Sequence, residues 1–112
     1  MSTPLQLTPL LIVAVIVLSA SNAFIEEYLT RFQVVAALVG RVRPMAIAIA
    51  SGVLFGIPHF FGTPGGLVGI LLAGFLGWLL AKSVLETRGI GWAVFIHFLQ
   101  DVIIFSAILG LR

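Results

Sequence analysis

The chain has 112 residues, 61% of them hydrophobic and 9% charged, with a mean hydropathy of +1.24. A water-soluble domain carries about a quarter charged residues, so this composition excludes one, and the length allows a single domain over residues 1–112. The net charge of +2 comes from scattered Lys and Arg, which argues against nucleic acid as a partner, and the lack of cysteine excludes disulfides, thiolate metal sites and a cysteine nucleophile.

A membrane-spanning helix needs about 20 mainly apolar residues. Ser2 to Ile25 is uncharged and predicts a first helix from about Pro9 to beyond Tyr28, with a possible extension past Arg31 to Val39. No Lys or Arg precedes Arg31, so this start lacks the basic region of a secretory signal and reads as a retained helix. Ser19, Asn22, Glu26 and Thr30 follow 3-4-4 spacing and predict one polar stripe along it. Glu27 and Arg31 are four apart with the acid first, the favourable order for a helical ion pair.

Met45 to Ala81 is again uncharged and is split by Phe61-Gly62-Thr63-Pro64-Gly65-Gly66, a turn signal. It predicts a second helix from about Pro44 to Phe61 and a third from about Gly66 to Val84. Pro58 removes a backbone donor just before His59, so the second helix should kink or end there, with Phe55 one turn earlier on the face of His59. Gly65, Gly69, Ala73, Gly77 and Ala81 recur every four residues, and Gly52 and Gly56 repeat that spacing. Such small-residue ridges let helix backbones approach closely. A fourth helix, about Ile90 to Leu109, carries one charge, Asp101, four residues after His97. The fold class is therefore all-α: a polytopic membrane protein, a bundle of about four transmembrane helices.

Lys and Arg favour cytoplasmic loops. Arg31, Arg41 and Arg43 fall in the link between the first two helices, and Lys82 and Arg88 in the link between the last two; the other side offers only Arg112 and the amino terminus. Both links are expected to face the cytoplasm, and the termini the opposite side.

A charge at mid-membrane costs about 2.5–3.5 kcal/mol on insertion scales and normally faces a bundle interior or an aqueous cavity. Glu26, Glu27, Arg31, His59, His97 and Asp101 are such residues, and three of the four predicted helices each contribute one cluster. If Arg31 holds Glu27 ionised, Glu26 is left free to exchange a proton, as a general base must. Taken singly, each has a plainer reading: a hydrogen-bonded packing His, an acid pair at the interface, or Asp101 paired with Arg112. Two His with one or two carboxylates also make a plausible zinc set of His59, His97 and Glu26 with an open position for water. The same residues would suit a non-enzymatic membrane module that binds a hydrophobic peptide, or a small proton conductor.

Three motifs carry a resemblance. Glu26-Glu27-Tyr28-Leu29-Thr30-Arg31, Phe55-Gly56-Ile57-Pro58-His59 and His97-Phe98-Leu99-Gln100-Asp101 occur in that order. They resemble the Glu-Glu-x-x-x-Arg, Phe-x-x-x-His and His-x-x-x-Asn/Asp motifs of the CAAX protease and bacteriocin-processing (CPBP, or Abi) family of intramembrane proteases. The resemblance spans about Asn22 to Ile108. It departs where Thr30 and Phe32 flank Arg31, since the family commonly shows Phe and Gly there. It implies a prokaryotic membrane endopeptidase acting on a hydrophobic or membrane-associated peptide. By the same resemblance Glu26 and His59 would activate a water, His97 and Asp101 would stabilise the oxyanion or orient the water, and Glu27, Arg31 and Phe55 would support the site. It implies glutamate-type chemistry with no cofactor, zinc being the alternative. Members commonly carry further helices, so homo-oligomerisation or partner helices are expected beside membrane lipid.

Overall fold

The structure, a computed structural model, describes residues 9–62 and 64–109. Four helices long and apolar enough to cross a bilayer account for nearly all of them: α1 (Pro9–Leu38), α2 (Pro44–Phe61), α3 (Gly66–Thr87) and α4 (Gly91–Ile108). There is no strand among the described residues. Helices satisfy their own backbone polar groups, which hydrocarbon cannot do for them, and large apolar side chains such as Leu71, Phe75 and Ile103 face outward. The chain is an integral, multi-pass membrane protein.

α1 takes the longer of the two courses open to it, reaching Leu38 before a turn at Gly40 in the left-handed region (φ 80°). Pro44 then opens α2 at its first turn, where a missing N–H costs nothing. α3 runs past the predicted Val84 to Thr87 and closes on Arg88 (φ 58°), whose N–H bonds the Val84 carbonyl. Lys82 thus lies within α3 rather than in a link. Two irregular segments interrupt the helices: Glu27–Phe32 is π-helical inside α1, and Ile57–Phe61 is a 3₁₀ turn ending α2.

α1 and α4 run antiparallel, since Asn22 and Glu26 meet Asp101 and His97 in reverse order, and so do α2 and α3, where Gly52 faces Gly74 and Gly56 faces Ile70. Arg31 meets Ser51 across α1 and α2. The tightest seam joins α2 to α3. A Cβ on Gly52 would lie 2.8 Å from the Gly74 carbonyl oxygen and 3.2 Å from the Trp78 nitrogen, and one on Gly56 would lie 2.8 Å from the Ile70 oxygen. Gly77 meets Phe55 and Gly52 across the same seam. The small-residue ridge thus presses α2 onto α3 and fixes the height of Phe55. An apolar core of Val35, Ile47, Leu80, Val84 and Ala93 closes the end of the bundle that carries the two links.

Gly52→Ala should destabilise the protein by about 1–3 kcal/mol, since its obstacles are backbone atoms that cannot swing away. Gly74→Ala should be close to neutral, because its Cβ would lie 3.5 Å from the Gly52 oxygen, an ordinary contact. Reversible unfolding in mixed detergent micelles measures both.

Candidate active site

The π-helical stretch of α1 begins at Glu27, directly after Glu26. Neighbouring residues on an α-helix diverge by about 100°, so two adjacent carboxylates would ordinarily point apart. Here both reach one imidazole: Glu27 Oε1 lies 3.3 Å from His97 Nδ1, and Glu26 Oε2 lies 3.3 Å from His97 Nε2. Asp101, one turn on in α4, places Oδ1 3.5 Å from the same Nε2. Glu26 does not pair with Arg31; it shares the His97 edge with Asp101. A neutral imidazole donates from one nitrogen only. Acids stand at both edges of the ring, Glu27 at Nδ1 and Glu26 with Asp101 at Nε2.

Glu27 and Arg31 form the predicted pair. Arg31 donates from Nε to Glu27 Oε2 at 3.0 Å and from Nη2 to Oε1 at 3.1 Å, a bidentate contact. Glu27 is 0% and Arg31 1% exposed, so Arg31 belongs to the protein interior and contributes nothing to the charge of the first link. Its remaining nitrogen, Nη1, donates to Ser51 Oγ of α2 at 2.6 Å, and its guanidinium lies 4.7 Å from the centroid of the Phe55 ring. Phe55 also sets its edge against His97, with ring centroids 5.6 Å apart. Ser51 was not singled out in the sequence, where its one signal is a lone hydroxyl in an Ala- and Ile-rich run.

The stripe of four polar residues on α1 is broken by the same π segment. Ser19 is buried, and Asn22 and Glu26 face the interior, but Thr30 is exposed and turns its hydroxyl back to the Glu26 carbonyl. The wider turn changes the rotation per residue, so a spacing read at 3.6 residues per turn misplaces Thr30. Asn22 donates from Nδ2 to Asp101 Oδ2 at 2.8 Å. Pairing of Asp101 with Arg112 lies outside the described residues; the contacts of Asp101 within them are to Asn22 and His97.

His59 owes its setting to Pro58. Pro58 has no N–H to give the turn before it, and the helix tightens to 3₁₀ from Ile57. His59 Nδ1 lies 2.6 Å from the Phe55 carbonyl oxygen and must donate to it. That bond fixes the tautomer of a neutral ring, leaving Nε2 as a proton acceptor with no partner among the described residues. The α2 helix does not end at the proline but tightens, and the Phe55 and His59 rings lie 4.6 Å apart.

Glu26, His59, His97 and Asp101 line one cavity of about 400 Å³ together with Asn22 and Gln100. Its far wall is apolar, from Leu72 and Leu76 of α3 to Phe105 of α4. The cavity extends from the polar cluster towards the end of the bundle that carries Gly62 and Pro64. The Glu26 side chain is 37% exposed and lines the cavity, whereas Glu27 is sealed. The zinc set of His59, His97 and Glu26 fits poorly, because no group of three or more His, Asp or Glu among the described residues is arranged to hold a metal ion. Both nitrogens of His97 are also turned to carboxylates.

The family model described as type II CAAX prenyl endopeptidase Rce1-like matches residues 8–103 of the chain. No curated protein and no solved structure matches it.

Glu27→Gln should cost about 3–5 kcal/mol of stability by leaving Arg31 buried without its counter-charge. Ser51→Ala should cost less, about 1.5–3 kcal/mol for one hydrogen bond to a charged group. Unfolding in detergent ranks the two, and equal losses would contradict the division of Arg31 between them.

Proposed function

The chain belongs to the type II CAAX prenyl endopeptidase Rce1-like family, and on that premise we propose that it is an intramembrane endopeptidase in which Glu26 and His59 activate a water. One observation carries this reading: four ionisable side chains from three helices line a single cavity inside an otherwise apolar bundle. Each is costly in hydrocarbon, and hydrolysis needs a base, a proton relay and a wet space in one place.

Glu26 is the base, because, of the two cavity-lining carboxylates beside His97 Nε2, it is the more open, its side chain 37% exposed against 9% for Asp101. It takes a proton from the water as the oxygen attacks the scissile carbonyl, and returns it to the leaving amine. His59 Nε2, oriented by the bond from Nδ1 to the Phe55 carbonyl, accepts the water's other hydrogen bond and aims its lone pair. Asp101 and Glu27 hold His97 from either edge, and Arg31 holds Glu27, so the base keeps one geometry. The chemistry is metal-free, and the substrate is a peptide that is itself hydrophobic or membrane-associated, matching the apolar far wall. A non-cleaving peptide-binding module is the outcome that would replace this reading.

The chain lies in a prokaryotic cell membrane with both links towards the cytoplasm, a placement supported by exposed Arg41 and Arg43 in one link and exposed Arg88 in the other. A single cysteine introduced as Arg43→Cys in this cysteine-free chain should react with a membrane-impermeant maleimide only after the cells are opened. Labelling of intact cells would invert the orientation.

Purified protein in liposomes should cleave members of a hydrophobic peptide library. Glu26→Gln and His59→Ala should each lower turnover by about 10²–10⁴-fold, the range for loss of a positioned acid–base group, and a chelator should leave turnover unchanged. Unaltered turnover in both variants would remove the mechanism.

A further inference from the structure

Attack of water on a peptide carbonyl moves an electron pair onto the carbonyl oxygen, and a site that hydrolyses peptides must meet that charge with preorganised donors. The polar groups at the cavity supply few. Glu26 and Asp101 offer acceptors. His97 is hydrogen-bonded through Nδ1 to Glu27 and has Glu26 and Asp101 at 3.3 and 3.5 Å from Nε2, so acceptors already crowd both ring nitrogens. His59 spends its Nδ1 hydrogen on the Phe55 carbonyl, which leaves a lone pair on Nε2.

Asn22 fills the gap. It sits one turn before Glu26 on α1, is half-buried and lines the same cavity. Its amide nitrogen donates to Asp101 Oδ2, 2.8 Å away. One amide hydrogen is used there, and the second has no acceptor among the described residues. Gln100 also lines the cavity, but none of the described residues anchors its amide, and an unanchored donor must be ordered when the charge forms.

We infer that Asn22 is a catalytic residue, the donor to the carbonyl oxygen of the bound peptide, with Asp101 as its anchor. The inference rests on the peptidase reading above. The water oxygen bonds to the carbonyl carbon, its proton passes to Glu26, and the π pair moves to the oxygen, which accepts the free Asn22 N–H. Collapse returns the pair, breaks the C–N bond and sends the Glu26 proton to the departing nitrogen. Asp101 acts through the amide: it holds Asn22 in place, and Asn22 meets the oxyanion.

The test uses the full chain in liposomes, a cleaved peptide, its product, and a phosphinic analogue whose tetrahedral anion mimics the intermediate. Asn22→Ala and the isosteric Asn22→Asp should lower kcat by about 10²–10³-fold, as loss of one such donor does, with little change in KM. Both should weaken the phosphinic analogue by a similar factor and bind the product as wild type does, which certifies that they fold. Wild-type kcat in either variant, or a fall in kcat with undiminished phosphinic binding, overturns the assignment while the peptidase reading stands. Wild-type protein that neither cleaves the peptide nor binds the analogue overturns both.

Discussion

A carboxylate and a guanidinium buried together within a lipid-spanning bundle constrain everything around them. Glu27 and Arg31 have almost no contact with solvent, and desolvating two ions is repaid only when geometry is good and the leftover donors are also met. The bidentate contact meets two donors of Arg31, Ser51 takes a third, and the Phe55 ring covers the face of the cation. Those requirements tie α1 to α2. Glu27 then has an oxygen to offer His97, and this ties α1 to α4.

The irregular backbone follows from the same constraint. A regular helix would set Glu26 and Glu27 on diverging bearings, yet both reach the edges of one imidazole. The π segment Glu27–Phe32 coincides with that convergence and with the buried Arg31, which agrees with the concentration of such segments at functional sites. In α2 the irregularity is built from covalent structure: Pro58 withholds a hydrogen from the preceding turn, and the His59 ring bonds the Phe55 carbonyl. One defect rearranges acids and the other fixes an imidazole, and the two open on the same cavity.

The glycine seam is the counterpart of this polar architecture. Lipid offers no hydrophobic drive for helices to associate, so close backbone approach at Gly52, Gly56 and Gly77 supplies the contact that brings α2 onto α3. Phe55 stands on that seam, and through it the packing of apolar helices is felt at Arg31, His59 and His97. Fold and site share residues, which limits how far either can vary alone.

The four spans, their order and the Glu27–Arg31 and His97–Asp101 proximities were legible in the sequence, because span length and i to i+4 spacing are local properties that hydrocarbon enforces strongly. The seam was legible for the same reason, as a four-residue repeat of small side chains. What no spacing could reveal was partnership between helices: that Glu26 meets His97, that Ser51 completes Arg31, and that Asn22 holds Asp101. Thr30 shows where local reading fails, since a stripe drawn with one helical period does not survive a π turn. The sequence by itself determined a membrane bundle with a few costly polar groups. Tertiary structure decided which of them face one another and which are sealed, because that depends on helix rotation and register, quantities settled by packing across the bundle.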